Sequence, residues 1–284
     1  MNHIAFITSK DQPNLTHSDS AVVPILLKHN VMVSAIPWES HTDWSVFNMV
    51  VVRSAWNYHI KYKEFMSWLN TIERQNVYMW NAVPTLRWNT SKTYFSAMID
   101  RGIPMVPTKV ITHTEHIPDS LHPWTKIVVK PAVSASAYET KIYDAHDSKH
   151  WSSHIRRLLD IGPVLIQQYM DSIQDGEYSF VFFNKIFSHA VLKIPKNGDF
   201  RIQEEYGGSV LSIDPPIEQI QAAQRVLDQI SEPLLYARVD GLVINGSFIL
   251  MEVELCEPEL FLHTNPLAPK RFAETIIQFL NYSR

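Results

Sequence analysis

Two segments in the C-terminal half of the chain carry closely spaced charged side chains. Arg238 and Asp240 are two residues apart in YARVDGLVI, and Glu252 and Glu254 are two apart in SFILMEVE. If each segment is a β-strand, each pair lies on one face of the sheet. Carboxylates held that close repel one another unless cations lie among them. Oxygen ligands without thiolates suit Mg²⁺ better than Zn²⁺, so Asp240, Glu252 and Glu254 are the candidate metal ligands.

The turn at Asn245-Gly246 decides whether the two polar pairs meet. A strict two-residue loop would pair Asp240 with Met251 and turn both glutamates to the opposite face. A loop of three or five residues, with Gly246 left-handed in a bulge, puts all four polar side chains on one face, and we predict this longer loop. The alternative is an ordinary hairpin with solvated charges, because alternating polar residues are normal on a half-exposed sheet.

Composition excludes several classes of protein. The chain has 284 residues, enough for two or three lobes with a substantial core. A net charge of −4 gives no general affinity for polyanions, so nucleic acid is not an expected partner. The single cysteine, Cys256, excludes an intrachain disulfide. No apolar run is long enough to span a bilayer and the first residues lack a signal-peptide layout. We therefore expect a cytoplasmic protein without a membrane partner.

Strands alternate with helices over about the first eighty residues, which predicts a small parallel α/β domain. The predicted strands are 3–8, 31–36, 48–53 and 77–80, and the predicted helices are 18–29 and 61–74. Ligands of such sheets bind beyond the carboxyl ends of the strands. The third strand ends in RSAWNYH, so Arg53, Trp56, Asn57 and Tyr58 lie where a substrate could be held. The alternative is that Trp56 and Tyr58 only anchor this loop in the core.

The rest of the chain is predicted to be mixed helix and strand after a linker at 81–90. The predicted strands are 107–111, 126–130, 163–168, 178–184 and 187–193, followed by the charged hairpin. The predicted helices are 91–101, 148–160, 216–230 and 268–282.

Two lysines precede the hairpin at places where an anion would be favourable. Lys92 lies in the first turn of a predicted helix, where a cation opposes the helix dipole unless an anion is near; the alternative is a surface lysine. Lys130 ends the strand KIVVK and is followed by PAVSASAYETKIY. Backbone N–H groups of this loop, with the hydroxyls of Ser134 and Ser136, can cradle an anion. The chain has neither the G-x-x-x-x-G-K-[ST] motif of a P-loop nor the G-x-G-x-x-G motif of a dinucleotide-binding fold, so neither fold is supported.

The strand PVLIQQ runs into a short polar linker, an arrangement that suits a nucleotide hinge. Backbone groups of Gln168, Tyr169 and Met170 would read adenine, and the carboxylate of Glu177 would take ribose hydroxyls. Further on, the polar stretch IPKNGDFRIQEEYGGSV carries Arg201 and Gly208. A loop of this size is usually functional or mobile, and we expect segments 131–137 and 196–209 to act as lids. Glu257 and Glu259 follow the second charged strand, where they would bind a substrate amine or merely cap or solvate the turn.

Taken in order, these residues resemble the ATP-grasp superfamily of carboxylate–amine ligases. LKIPKNGDFRIQEEYGG is similar to the loop region of glutathione synthetases and RimK-like ligases. Seven passages from about residue 48 to the end resemble the O-ureido-D-serine cyclo-ligase type associated with D-cycloserine biosynthesis. They are VVRSAWNYH, RWNTSK, VVKPAVSASA, FSHAVLK, FRIQEEYGG, YARVD and MEVELCEPELF.

The resemblance implies an α/β protein with the ATP-grasp fold and an N-terminal parallel α/β domain. The implied domains are 1–85, 86–167 and 168–284. It also implies roles for residues already singled out. ATP would bind Lys92, Lys130, Ser134, Ser136, Gln168, Tyr169, Met170 and Glu177. Two Mg²⁺ ions, or Mn²⁺, would bind Asp240, Glu252 and Glu254. Arg201 and Arg238 would be catalytic, and Arg53, Trp56, Asn57, Gly208 and Glu257 would contact substrate.

The implied activity is an ATP- and Mg²⁺-dependent carboxylate–amine ligase or cyclo-ligase. It would act through an acyl-phosphate on a small amino-acid-like substrate and release ADP and phosphate. Such a reaction needs lysines, arginines and carboxylate-bound Mg²⁺ to position groups and neutralise charge, with no protein nucleophile. The alternatives are an ATP-grasp kinase and a non-enzymatic nucleotide-binding scaffold. A homodimer is the default expectation for assembly.

Overall fold

The computed structural model describes residues 1–196 and 207–282 and contains three β-sheets. The first sheet is parallel with the order β2-β1-β3-β4. Its strands are β1 (Asn2–Thr8), β2 (Val31–Pro37), β3 (Met49–Val52) and β4 (Met79–Trp80). Strands buried on both faces are continuously apolar, and β3 is the unbroken run MVVV. Phe6 and Ile7 alternate between the cores on the two faces of the sheet, as predicted for a parallel α/β unit.

Helices α1 (His17–Ser20), α2 (Val23–Lys28) and α3 (Tyr62–Arg74) belong to this first unit. The prediction of one helix over 18–29 is wrong, because a break separates α1 from α2. Pro24 lies in the first turn of α2. Proline has no N–H to continue a helix from the preceding turn, so it starts a helix and rarely lies inside one.

The predicted linker at 81–90 is also wrong, since it contains helix α4 (Val83–Asn89). Pro84 lies in its first turn and Leu86 is fully buried. The helix predicted to follow begins as a 3₁₀ turn, Lys92–Tyr94, and continues as α5 (Phe95–Asp100). A domain boundary at residue 85 would fall inside α4, and the three domain ranges stay a prediction.

The second sheet is antiparallel with the order β5-β8-β6-β7. Its strands are β5 (Thr108–Ile111), β6 (Lys126–Pro131), β7 (Lys141–Asp144) and β8 (Val164–Gln168). Helix α6 (Ser148–Leu159) packs on it through Trp151 and Ile155. This sheet presents Lys130 at the end of β6 and Gln168 at the end of β8.

The third sheet is antiparallel with the order β11-β10-β9-β12-β13. Its strands are β9 (Glu177–Phe183), β10 (Ile186–Ile194), β11 (Ser209–Ile213), β12 (Tyr236–Ile244) and β13 (Ser247–Glu254). The remaining helices are α7 (Ile217–Leu227) and α8 (Ala268–Tyr282). Phe272 of α8 shares one core with Phe6 of the first sheet and Phe183 of the third.

The hairpin β12–β13 has a two-residue loop, so the prediction of a longer loop is wrong. Ile244 pairs with Ser247, and both loop residues are left-handed, with φ of 50° at Asn245 and 79° at Gly246. The four polar side chains nevertheless share one face, because Asp240 pairs with Glu252 whereas Gly241 pairs with Leu250. Met251 is the extra residue of a β-bulge, and one extra residue moves every following side chain to the other face.

No helix in the described part of the chain is long and apolar enough to cross a membrane.

Candidate active site

A cavity of about 480 Å³ lies where the three sheets approach one another. Its walls come from the loop after β3, from the ends of β6 and β8, and from strands β9, β10, β12 and β13. Fourteen residues singled out from the sequence line it. They are Trp56, Lys92, Lys130, Ser134, Ser136, Gln168, Tyr169, Met170, Glu177, Arg238, Asp240, Glu252, Glu254 and Glu257.

Asp240 lies at the centre of an ion-pair network on β12. Arg238 donates from Nε to Oδ1 at 3.0 Å and from Nη2 to Oδ2 at 3.0 Å, and Ser179 Oγ donates to Oδ1 at 2.7 Å. Lys193 Nζ, from β10, donates to Oδ2 at 3.0 Å. Burial disfavours the ionised carboxylate, but Arg238 and Lys193 outweigh burial and hold the pKa of Asp240 well below its usual range.

Glu252 and Lys92 join the hairpin to the loop after β6. Lys92 Nζ lies 3.0 Å from Glu252 Oε1 and donates to the carbonyl oxygen of Ser134 at 2.7 Å. Lys92 is buried, so it is not the surface lysine of the alternative interpretation. Burial opposes its charge, but the ion pair with Glu252 prevails and raises the pKa of Lys92.

Glu254 and Glu177 are the two remaining carboxylates of this network. Glu254 pairs with Arg238, yet burial raises the pKa of Glu254 to about 8, and the nearby carboxylates Glu252 and Asp240 add to the rise. Glu177 Oε1 accepts from Lys193 Nζ at 2.6 Å. Burial raises the pKa of Glu177 and Lys193 partly offsets that rise. The cavity floor is therefore crowded with negative charge.

The chemistry of these donors fits a hard divalent cation. Among the described residues, no group of three or more His, Cys, Asp or Glu side chains is arranged to hold a metal ion. Each hairpin carboxylate is instead paired with a basic side chain. Still, the set contains only oxygen donors, and the raised pKa of Glu254 marks charge that a divalent cation would relieve. The metal assignment to Asp240, Glu252 and Glu254 stays a prediction.

Lys130 and the loop after β6 form the wall opposite the hairpin. Burial lowers the pKa of Lys130, partly offset by Glu252. Ser136, Ala137 and Glu139 have φ of 48°, 55° and 51°. Residues other than glycine rarely adopt this left-handed conformation, and when they do the strain is often found at functional sites. The loop thus achieves without glycine a backbone that usually needs it.

The segment after β8 lines an apolar part of the cavity. Tyr169, Met170 and the bulged Met251 pack around the buried side chains of Val106 and Ile173. The backbone N–H groups of Gln168 and Tyr169 already donate to the carbonyls of Pro107 and Lys126, both at 2.9 Å. An apolar slot with a polar edge suits a planar heterocycle, as the hinge interpretation requires.

Arg53 does not line the cavity. It is 1% exposed, donates from Nε to Asp19 Oδ1 at 2.9 Å and from Nη2 to the carbonyl oxygen of Pro258 at 2.9 Å, and lies over the ring of Tyr236. The position at a strand end is as predicted, but the side chain points between the first sheet and the segment after β13. A substrate contact through Arg53 stays a prediction that this placement does not favour.

Asn57 and Gly208 also lie outside the cavity lining. Asn57 Nδ2 donates to Asp11 Oδ2 at 2.6 Å and to Glu39 Oε1 at 2.7 Å, so the amide ties together loops of the first unit. Arg201 belongs to 197–206, outside the residues that the structure describes, as does most of the expected lid 196–209.

Trp56 and Glu257 connect the first unit to the hairpin. Trp56 Nε1 donates to the carbonyl oxygen of Glu257 at 3.0 Å, and both residues line the cavity. Two other residues also line the cavity: Tyr58, which the sequence places where a substrate could be held, and Lys193, to which sequence reasoning gave no definite role. The signal for Lys193 is a lone lysine at the end of the apolar strand HAVLKI, which is costly to bury without an anion.

A family model described as "D-cycloserine synthetase DcsG, N-terminal domain" matches residues 4–81. The cycloserine biosynthesis protein DcsG of Streptomyces lavendulae is 28% identical over 264 residues, which cover 86% of this chain and 87% of that protein. The crystal structure of D-cycloserine synthetase DcsG superposes with a TM-score of 0.87 at 24% identity and covers 98% of this chain and 100% of that one.

More distant structures share the fold. D-alanine–D-alanine ligase from Bacillus anthracis, complexed with ATP, has a TM-score of 0.68 at 15% identity, covering 99% of this chain and 98% of its own. The RiPP-associated ATP-grasp ligase of Chryseobacterium gregarium, in complex with ADP and a leader and core peptide, has the same TM-score and identity, with coverage of 100% and 98%. The chain therefore has the α/β ATP-grasp fold and is close to D-cycloserine synthetase in sequence and structure, which supports a ligase enzyme.

Proposed function

We propose that this protein is an ATP- and Mg²⁺-dependent carboxylate–amine ligase or cyclo-ligase that works through an acyl-phosphate. The observation that carries the proposal is that one cavity is lined both by two lysines, Lys92 and Lys130, and by the carboxylates of the β12–β13 hairpin. Phosphoryl transfer needs both kinds of group within one site, because positioning and neutralisation of charge supply most of its catalysis.

The nucleotide would lie between the second and third sheets. Its base would occupy the apolar slot at Gln168, Tyr169 and Met170, and its ribose hydroxyls would bond to Glu177. Lys92 and Lys130 would contact the phosphates, together with the loop that carries Ser134 and Ser136. Support comes from the relatives of the same fold that were crystallised with ATP or ADP.

Asp240, Glu252 and Glu254 would hold two Mg²⁺ ions, or Mn²⁺ in their place. When bound, the metal would neutralise phosphate charge and orient the transferred group. Lys92 pairs with Glu252, and we expect its ammonium to turn toward the phosphates as Glu252 turns toward the metal. Arg238, already anchored on Asp240 and Glu254, would steady the transferred phosphoryl group, with Arg201 as a second catalytic guanidinium.

The side chains of the cavity provide for activation of a carboxylate without a protein nucleophile. Burial raises the pKa of the Cys256 thiol well above its usual value, so the reactive thiolate is disfavoured. A substrate carboxylate would instead take the γ-phosphoryl group, and a nitrogen would then displace phosphate to form the C–N bond. Loops 131–137 and 196–209 would exclude water from the acyl-phosphate.

The substrate would be a small molecule of amino-acid type. The similar protein is a D-cycloserine synthetase, and D-cycloserine is a cyclic amino-acid derivative. A cyclo-ligase joins a carboxylate and a nitrogen of one molecule, and a cavity of about 480 Å³ is of suitable size for a nucleotide with a small second ligand.

The proposal is tested by following the products of ATP with pairs of amino-acid carboxylates and amines, and with single amino acids that carry both groups. Release of ADP and free phosphate in equal amounts with an amide product supports the ligase. A stable phosphorylated substrate would show a kinase instead. Nucleotide binding without turnover across the whole panel, in the presence of Mg²⁺ and of Mn²⁺, would favour the scaffold interpretation and contradict the proposal.

A further inference from the structure

Glu257 differs from the four acidic side chains of the cavity floor, which are Glu177, Asp240, Glu252 and Glu254. It is 9% exposed and lines the cavity beyond the end of β13. Within residues 1–196 and 207–282, its hydrogen-bond partner is the thiol of the neighbouring Cys256, a weak donor, and no lysine or arginine forms an ion pair with it. A buried carboxylate without a cation is costly to the fold.

The basic side chains of the cavity floor are committed elsewhere. Lys92 pairs with Glu252, Lys193 bridges Glu177 and Asp240, and Arg238 holds Asp240 and Glu254. Lys92 and Arg238 act on Glu257 through the electrostatic field without contacting its carboxylate. The fold thus pairs these four carboxylates with basic side chains. Glu259 accepts from the backbone N–H of Phe261 at 2.8 Å, whereas Glu257 lines the cavity without a partner of either kind in the described ranges.

Two aromatic residues of the first unit stand beside Glu257. Tyr58 is 3% exposed, lines the cavity, and its hydroxyl has no hydrogen-bond partner in the described part of the chain. Its pKa is raised well above the usual value, first by burial and next by the charge of Glu257, so the hydroxyl stays protonated. Trp56 fixes the backbone of Glu257 through its Nε1 and presents its ring to the same volume.

We infer that Glu257, Tyr58 and Trp56 form a subsite for a primary ammonium group of the substrate, an inference that rests on the function proposed above. The ammonium group of the substrate would be the counter-ion for Glu257, which has no lysine or arginine partner among the described residues. An ammonium group is matched to this subsite because it offers three N–H donors, one for the carboxylate and one for the Tyr58 oxygen, and it is attracted to the face of an indole ring.

The subsite assigns a direction to the bound molecule. Lys130 and the loop after β6 lie on the second sheet, whereas Trp56 and Tyr58 come from the first unit. An amino acid would therefore place its ammonium group against the first unit and direct its reacting carboxylate toward the lysines. Substrates that lack the amine lose the partner of Glu257, and an unpaired buried charge gives stronger discrimination than a missing apolar contact.

The first pair of probes is D-cycloserine and isoxazolidin-3-one, which differ by the amine alone. The other probes are the standard amino acids in D and L form, each paired with the acid that lacks its amine. Each is titrated into the full chain loaded with Mg²⁺ and ADP, and binding is followed by the thermal unfolding midpoint and by calorimetry. We expect at least one amine-bearing probe to bind at least about tenfold more tightly than its deaminated partner. Glu257→Gln should abolish that preference, and Tyr58→Phe should reduce it.

The matched control Glu218→Gln, on the exposed face of α7, should keep the preference. In the ligand-free protein, Glu257→Gln should raise the unfolding midpoint, because it removes an uncompensated buried charge. The inference is contradicted if Glu257→Gln retains the preference for the amine, or if no amine-bearing probe binds while ADP still does. If Mg²⁺ and ADP still raise the unfolding midpoint of every variant, the nucleotide site is supported whether or not the preference for the amine is found.

Discussion

At the scale of single residues, each hairpin carboxylate in the cavity is held by a basic side chain. Spacing in the sequence predicts that Arg238 shares a face with Asp240 and Glu252 with Glu254, because period-two alternation is local. The lysines that pair with these carboxylates, Lys92 and Lys193, come from other elements, so local patterns mark each lysine but do not reveal its partner. The rule that ligands bind at strand ends locates Arg53 but does not tell which way its side chain points.

Glu252→Gln tests the pairing of a buried lysine with a candidate metal ligand. The change leaves the Lys92 ammonium with the Ser134 carbonyl and no counter-charge. We expect the free energy of unfolding to fall by about 1–3 kcal/mol in urea titrations, and the Mg²⁺ concentration needed for half-maximal ADP binding to rise at least about tenfold. An unchanged Mg²⁺ titration would mean that the metal binds elsewhere.

His189 makes a prediction about pH. Burial lowers its pKa to about 4, and Arg271 adds to the lowering, while Nε2 lies 2.8 Å from the carbonyl oxygen of Leu260. The unfolded chain, with a pKa near 6.5, then binds the proton more readily than the folded one. Stability is therefore complete above about pH 6.5 and falls as the pH drops toward 4, by up to about 3 kcal/mol.

Urea titrations between pH 7.5 and 4 will measure this loss, and His189→Gln should flatten it relative to the natural chain. His41→Gln, at an exposed position, serves as the control. Equal pH slopes in the natural chain and His189→Gln would show that other groups account for the acid sensitivity.

At the scale of elements, most strands and helices follow from apolar periodicity, whereas β7 and β11 were not predicted and two helix boundaries differ for local reasons. Pro24 and Pro84 start helices where composition alone suggests a continuous helix or a linker. The β12–β13 hairpin shows a subtler limit. The common face was predicted correctly but from a wrong turn, because a bulge at Met251 and a longer loop shift the phase equally. Spacing in the sequence does not distinguish a β-bulge in the strand from a longer loop.

Gly241 makes the bulge testable. A Cβ atom at this position would lie 2.4 Å from the carbonyl oxygen of Ile249 and 2.5 Å from the ring of Phe248. We expect Gly241→Ala to lower the free energy of unfolding by about 2–3 kcal/mol and to weaken nucleotide binding, since the hairpin faces would shift. Gly162→Ala, with nothing within 4 Å of the new atom, should change stability by no more than about 0.5 kcal/mol. Equal effects of the two changes would show that the register tolerates the new atom.

At the scale of the whole molecule, buried polar contacts join the first unit to the third sheet. Tyr236 Oη donates to the carbonyl oxygens of Val52, at 2.7 Å, and Cys256, at 2.8 Å, and Asn81 Nδ2 donates to that of Leu255 at 2.7 Å. The bonds from Tyr236 to Val52 and from Asn81 to Leu255 connect residues 184 and 174 positions apart, which a single sequence does not reveal. The order of motifs did predict the fold, because the motifs mark the ends of its strands.

Arg53→Met tests this junction. It leaves Asp19 buried without its partner and removes the bond to the Pro258 carbonyl. We expect a loss of about 3–5 kcal/mol in the free energy of unfolding, and adding Asp19→Asn should recover part of it in a double-mutant cycle. Unchanged stability together with a selective loss of second-substrate binding would instead support the substrate role predicted from the sequence.

The most direct test of a nucleotide-dependent enzyme is thermal unfolding with Mg²⁺ and ADP against Mg²⁺ alone. A ligand at a hundred times its dissociation constant stabilises the folded state by roughly 2.7 kcal/mol, which should raise the midpoint by several degrees, on the order of 2–4 °C per kcal/mol. We predict this shift for the natural chain and for Lys109→Ala, an exposed lysine on β5, and its loss in Lys130→Ala. No shift at millimolar ADP, or an equal shift in Lys130→Ala, would contradict the assignment of the cavity as the nucleotide site.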